Sequence, residues 1–90
     1  MSRLDDQQIA RRLQVLAGWE RRGDEIRRTF SFPDFKAALA FVNRVGELAE
    51  AMNHHPDIDI RYARVTLALT THDAGGLSAL DFELAGRIGG

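Results

Sequence analysis

The two prolines of this chain, Pro33 and Pro56, bracket a run with the spacing of one long amphipathic helix. Phe35, Leu39, Val42, Gly46, Ala49 and Met52 recur at helical intervals, and Phe41, Val45 and Leu48 widen the stripe. Pro33 fits the first helical turn, where its missing N–H costs nothing, and Asp34 suits the positive end of the helix dipole. The helix should end near residue 52. Pro56 bars its continuation and pushes the preceding residue toward extended geometry. In a chain of 90 residues such a helix takes the centre of the core. Folding at this size buries roughly 60–65% of the unfolded chain's surface, enough for one modest core and a single domain spanning residues 1–90.

The other elements arrange themselves around that helix. Asp5 or Asp6 can cap a helix over residues 5–17, with Ile9, Leu13 and Leu16 on one side and Ala17-Gly18 at its end. Trp19 to Arg22 reads as a short strand, and Gly23-Asp24 as a hairpin turn. Residues 25–32 alternate, with Ile26, Phe30 and Phe32 on one face; Arg28 interrupts that face. One strand is expected over residues 61–71, with Ala63, Val65, Leu67 and Leu69 inward and Tyr62, Arg64, Thr66 and Thr70 outward. After the loop Asp73-Ala74-Gly75-Gly76, the stretch Ser78-Ala79-Leu80-Asp81 has capping-box form and opens a last helix with Leu80, Leu84 and Ile88 on its apolar side. The order is α-β-β-α-β-α. The fold expected is an α+β two-layer sandwich, an antiparallel sheet with helices packed on one face.

Composition excludes several functions. The net charge of −1 leaves no cationic excess for a nucleic-acid backbone, and the pairs Arg11-Arg12, Arg21-Arg22 and Arg27-Arg28 read as solvated faces offset by acids. With no cysteine there is no disulfide, thiolate metal site or cysteine nucleophile. No run approaches the ~18 apolar residues of a membrane span, and the polar start through Gln8 lacks the apolar core of a signal peptide. A cytoplasmic protein is the expectation.

All three histidines, His54, His55 and His72, fall within 19 residues of one another. Histidine is the side chain whose unperturbed pKa lets it both give and take protons near neutrality. His54 and His55 sit where the chain leaves the long helix; adjacent residues of an extended chain point apart. Strand parity puts Tyr62 and His72 on one face if the strand is unbroken. Each residue also has a plain reading. A histidine at a helix end caps carbonyls, Asp81 completes a capping box, Trp19 packs in the core, and Glu50 is a solvated helix residue. Three imidazoles can hold zinc. Adjacent ligands are awkward, however, and no His-x-His or His-x-x-x-His pair exists, so no metal is expected.

The spacing Glu50-x3-His54-His55-Pro56-x5-Tyr62-x9-His72-x8-Asp81 closely resembles the signature of the pterin-4a-carbinolamine dehydratases, also known as the dimerisation cofactor of a hepatocyte transcription factor. Thr71-His72 followed by Gly76-Leu77-Ser78, and Gly18-Trp19 before the first hairpin, extend the resemblance over most of the chain. Ile58 stands where well-known animal members carry an aromatic residue, and Ala74 where they carry a cysteine. The resemblance implies loss of water from 4a-hydroxytetrahydropterin to give quinonoid dihydropterin, a step in tetrahydrobiopterin recycling that needs no metal or organic cofactor. It implies His54 and His72 as acid and base, and His55 mainly in binding and orientation. Trp19 is implied as an apolar wall for the pterin, Pro56 as part of the binding segment, and Glu50 and Asp81 as groups that orient histidines or bond the pterin.

The same resemblance implies a homodimer or a homotetramer, and an aromatic amino-acid hydroxylase as supplier of the substrate. Two other functions compete: a protein-binding dimerisation module, and a pterin-related role in molybdenum-cofactor metabolism. No nucleic-acid or membrane partner is expected.

Overall fold

A computed structural model describes residues 2–89. Helix α1 spans Asp6–Leu13, strand β1 Glu20–Arg22, β2 Glu25–Ser31, helix α2 Phe35–Met52, β3 Asp57–Arg61, β4 Arg64–Leu69 and helix α3 Ala79–Gly89, with a single 3-10 turn at His72–Ala74 before α3. The four strands form one antiparallel sheet in the order β1-β2-β4-β3. The α+β two-layer class is as expected. The element order holds one strand more than the sequence suggested.

That extra strand comes from the single strand predicted over residues 61–71. The chain reverses at Tyr62, in left-handed backbone at φ 53°, so Asp57–Arg61 runs back along Arg64–Leu69 with Ile58 opposite Leu67 and Ile60 opposite Val65. The alternation Asp57-Ile58-Asp59-Ile60-Arg61 marks a strand, but Arg61-Tyr62-Ala63-Arg64 contains none of the glycine, asparagine or proline that announces a hairpin. Tyr62 and His72 therefore lie beyond opposite ends of β4 and share no strand face.

One face of the sheet carries Ile26, Phe30, Val65, Leu67 and Leu69 toward the helices. The other is open, with Arg27, Thr29, Asp57, Asp59, Arg61, Arg64 and Thr66 around a shallow polar concavity. Arg28 does fall on the core side. It stacks 4.4 Å from the Phe30 ring centre and donates to the carbonyls of Ala17 (3.0 Å) and Gly89 (2.6 Å). Its apolar stem covers the core while its charge meets the Gly89 carbonyl at the end of α3 and the Ala17 carbonyl in the segment after α1, so the interruption becomes a tie.

The helices differ from expectation in their details. Helix α1 stops at Leu13, four residues early, though Asp5 and Gln8 complete a capping box at its start and Leu16 is still buried. On α2 the cap is Asp34, accepting from Ala37 N–H at 2.8 Å, so Pro33 precedes the helix rather than opening it. The buried stripe of α2 is Ala38, Phe41, Val45 and Ala49. It is rotated from the predicted one, leaving Phe35 46% and Leu39 39% exposed. Buried Ala38 and Ala49 let the helix approach the sheet closely, and Phe41 fills the remaining space against Phe30 and Phe32 at ring distances of 4.6 and 5.0 Å.

Candidate active site

Helix α2 ends through Asn53, whose left-handed backbone (φ 49°) turns its N–H back onto the carbonyls of Ala49 and Glu50. Asparagine tolerates this region better than most residues. His54 N–H then bonds the Ala49 carbonyl at 3.0 Å, so the histidine pair is fastened to the last helical turn rather than hanging from a loose exit.

Strand β4 delivers the third histidine. Thr71 and Gly76 exchange backbone hydrogen bonds of 3.1 and 3.3 Å, closing a small loop. Gly75, at φ 74°, makes the reversal that a side chain would resist. His72 opens the 3-10 turn inside that loop and is exposed. The result is a cleft of about 330 Å³ lined by Asn53, His54, His55, Thr70, Thr71, His72, Asp73 and Leu80. All three histidines meet there, as the cluster in the sequence suggested.

Two carboxylates stand behind them. Asp81 has no solvent exposure, and its Oδ1 lies 2.6 Å from Nε2 of His54, itself 9% exposed. The Oδ2 of Asp81 accepts the Thr71 hydroxyl at 2.8 Å and the Ser78 N–H at 2.9 Å. The capping reading and the histidine-orienting reading of Asp81 are thus both realised, by different oxygens of one carboxylate. Glu50 reaches forward along α2 to bond Nε2 of His55; both side chains are more than half exposed. That pair lies in high dielectric and is weakly held.

Other expected site residues fall elsewhere. Trp19 is 5% exposed and packs edge-on against Phe30 at 6.2 Å, so it belongs to the core and does not line the cleft. The apolar wall is Leu80, from the first turn of α3. Pro56 is half-buried ahead of β3 and also lies outside the cleft lining. Glu50 and Asp81 touch histidines rather than the cleft space. Sequence reasoning gave no functional weight to Thr71 or Leu80. Thr71 precedes His72 and so points to the opposite side of the extended chain, inward, where a hydroxyl needs a partner. Among the described residues, no three His, Asp or Glu side chains converge closely enough to hold one metal ion, and no helix is long and apolar enough to cross a membrane.

An imidazole with a buried carboxylate on one nitrogen is oriented and can carry positive charge, the geometry that acid–base chemistry requires. A second imidazole across the cleft, without a protein partner for its ring among the described residues, can serve the opposite proton. Comparison with known proteins gives one consistent family. The family model described as pterin 4 alpha carbinolamine dehydratase matches residues 2–90. A protein of Roseiflexus sp. (strain RS-1) that bears the provisional name pterin-4-alpha-carbinolamine dehydratase is 60% identical over 87 residues, covering 97% of this chain and 94% of its own. One of the same provisional name from Thermomicrobium roseum is 58% identical over 88 residues, covering 98% and 95%. The crystal structure of a transcriptional coactivator/pterin dehydratase from Brucella melitensis superposes with a TM-score of 0.93 at 32% identity, over 97% of this chain and 95% of that one. With its fold and almost its whole length matched, this chain belongs to the pterin-4a-carbinolamine dehydratase family.

Proposed function

We propose that this chain dehydrates 4a-hydroxytetrahydropterins by histidine acid–base catalysis, as part of tetrahydrobiopterin recycling in the cytoplasm after an aromatic amino-acid hydroxylase. The observation that carries the reading is the convergence of His54, His55 and His72 on one cleft, with the first backed by buried Asp81. In the reaction the C4a–O bond breaks as the hydroxyl takes a proton and departs as water. A C4a=N5 double bond forms as the ring nitrogen loses its proton. His54 and His72 are the proton-handling pair, and such catalysis typically contributes about 10²–10⁴-fold. His55, held by exposed Glu50, binds and orients the pterin, and Leu80 supplies an apolar contact for its flat ring.

The test is stopped-flow decay of enzymatically generated carbinolamine. The protein should accelerate decay well above the spontaneous rate, and an unchanged rate overturns the reading.

The active species is further proposed to be a homo-oligomer, a dimer or a tetramer built from dimers. Strand β3 is a sheet edge, and Ile58 and Ile60 point to the core side yet remain 38% and 37% exposed. Phe35 and Leu39 on α2 add exposed apolar surface. A second copy of the chain covers such a surface and pairs the free edge at once.

A further inference from the structure

The hydrogen bonds behind His54 have only one consistent direction. Thr71 Oγ1 lies 2.8 Å from Asp81 Oδ2 and 2.7 Å from Ser78 Oγ. A carboxylate only accepts, so the single hydroxyl hydrogen of Thr71 goes to Asp81. Ser78 must then donate its own hydroxyl hydrogen to Thr71, and its oxygen accepts the Leu80 N–H at 3.3 Å. The chain runs Leu80 to Ser78 to Thr71 to Asp81. Ser78 and Asp81 have no exposure and Thr71 has 6%, so water does not compete for these bonds.

With Oδ2 taken by the Thr71 hydroxyl and the Ser78 N–H, Oδ1 is left for His54. A carboxylate oxygen facing an imidazole nitrogen requires that nitrogen to carry the hydrogen. We propose that Thr71 is a positioning residue: through Asp81 it fixes neutral His54 as the Nε2–H tautomer and leaves Nδ1 as the atom that exchanges protons with the ligand in the cleft. Taking a proton at Nδ1 gives an imidazolium whose other N–H still rests on Asp81. Losing it from Nδ1 restores the same tautomer. Neither direction needs the ring to turn. Only the identity of the molecule at Nδ1 rests on the dehydration reading.

Nitrogen-15 NMR of the full chain with labelled histidine, at alkaline pH where imidazole is neutral, reads the tautomer directly. The wild-type His54 should show a protonated Nε2 and a bare Nδ1. Thr71→Val keeps the side-chain volume but removes the donor to Asp81, leaving Oδ2 only the Ser78 N–H, so the carboxylate is free to turn and no longer keeps Oδ1 on Nε2. It should give a mixed tautomer and a kcat roughly tenfold lower, on the scale of one hydrogen bond to a charged group, with KM within about twofold. Thr71→Ser, which returns the hydroxyl, should restore both. A protonated Nδ1 in the wild-type protein overturns the proposal, even if the valine variant does not fold. An unchanged tautomer in a folded Thr71→Val does so too. A wild-type protein with the expected tautomer but no effect on carbinolamine decay refutes the dehydration reading and leaves the tautomer assignment standing.

Discussion

Asp81, a fully buried carboxylate in the first turn of α3, holds Nε2 of His54 at 2.6 Å and so couples a helix cap to the side chain proposed to handle protons. Asp81→Asn tests the coupling. The amide can still accept from Ser78, but its NH2 group turned toward His54 demands the opposite tautomer. Carbinolamine turnover should fall on the order of 10²-fold. Thermal unfolding should register a loss of about 1–3 kcal/mol as buried donors lose a charged acceptor. A variant with wild-type kcat would show that the contact serves the cap alone.

The roles proposed for the three histidines should separate kinetically. His54→Ala and His72→Ala should lower kcat far more than they raise KM, whereas His55→Ala should mainly raise KM. Glu50→Gln, on the exposed partner of His55, should change stability by less than about 0.5 kcal/mol. Loss of turnover with intact pterin binding in His55→Ala would reverse the assignment.

The edge strand offers an assembly test. Ile58→Lys puts a charge on the apolar side of β3 without entering the closed core. Light scattering should find the variant at the 10.1 kDa of one chain, with the wild type at a multiple of that mass and the two circular dichroism spectra alike. A wild-type protein that is already monomeric at micromolar concentration removes the proposed assembly.

Arg28 is expected to matter more than a surface arginine. Arg28→Ala removes bonds to the Ala17 and Gly89 carbonyls and the stacking on Phe30. The cost should be about 1–3 kcal/mol, seen as a melting temperature lowered by roughly 4–8 °C for each kcal/mol. A shift of less than about 2 °C would show the tie to be incidental.

Helix capping, hairpin and core parity were legible from residue types alone: Asp5, one of the two cap candidates, Gly23-Asp24, and the inward set Val65, Leu67 and Leu69 all stand where local patterns put them. So did the histidine cluster, because a proline-ended helix and a strand end can be located without knowing how they pack. What local pattern could not supply was the reversal at Tyr62, made by a residue that rarely adopts positive φ. Nor could it show which side of α2 faces the sheet. A stripe this wide leaves its rotation to the packing of Phe41 against Phe30 and Phe32. Of the two readings open for Trp19, core and ligand wall, the structure realises the core one, because an aromatic residue that packs inward and one that lines a cleft look alike in one dimension. Thr71 was overlooked because its role depends on Ser78 and Asp81, partners that only the tertiary fold brings within reach.

On the proposed mechanism, the placement of Asp81 at the start of α3 ties activity to a single local melting event. If the first turn of α3 frays, Ser78 and Asp81 lose their mutual bond and His54 loses its anchor, although no histidine has moved along the chain. The helix start thus acts as the fuse of the site. Amide exchange at Leu80 and Asp81 should report the fraction of molecules that are competent, and heat should abolish turnover before it unfolds the sheet.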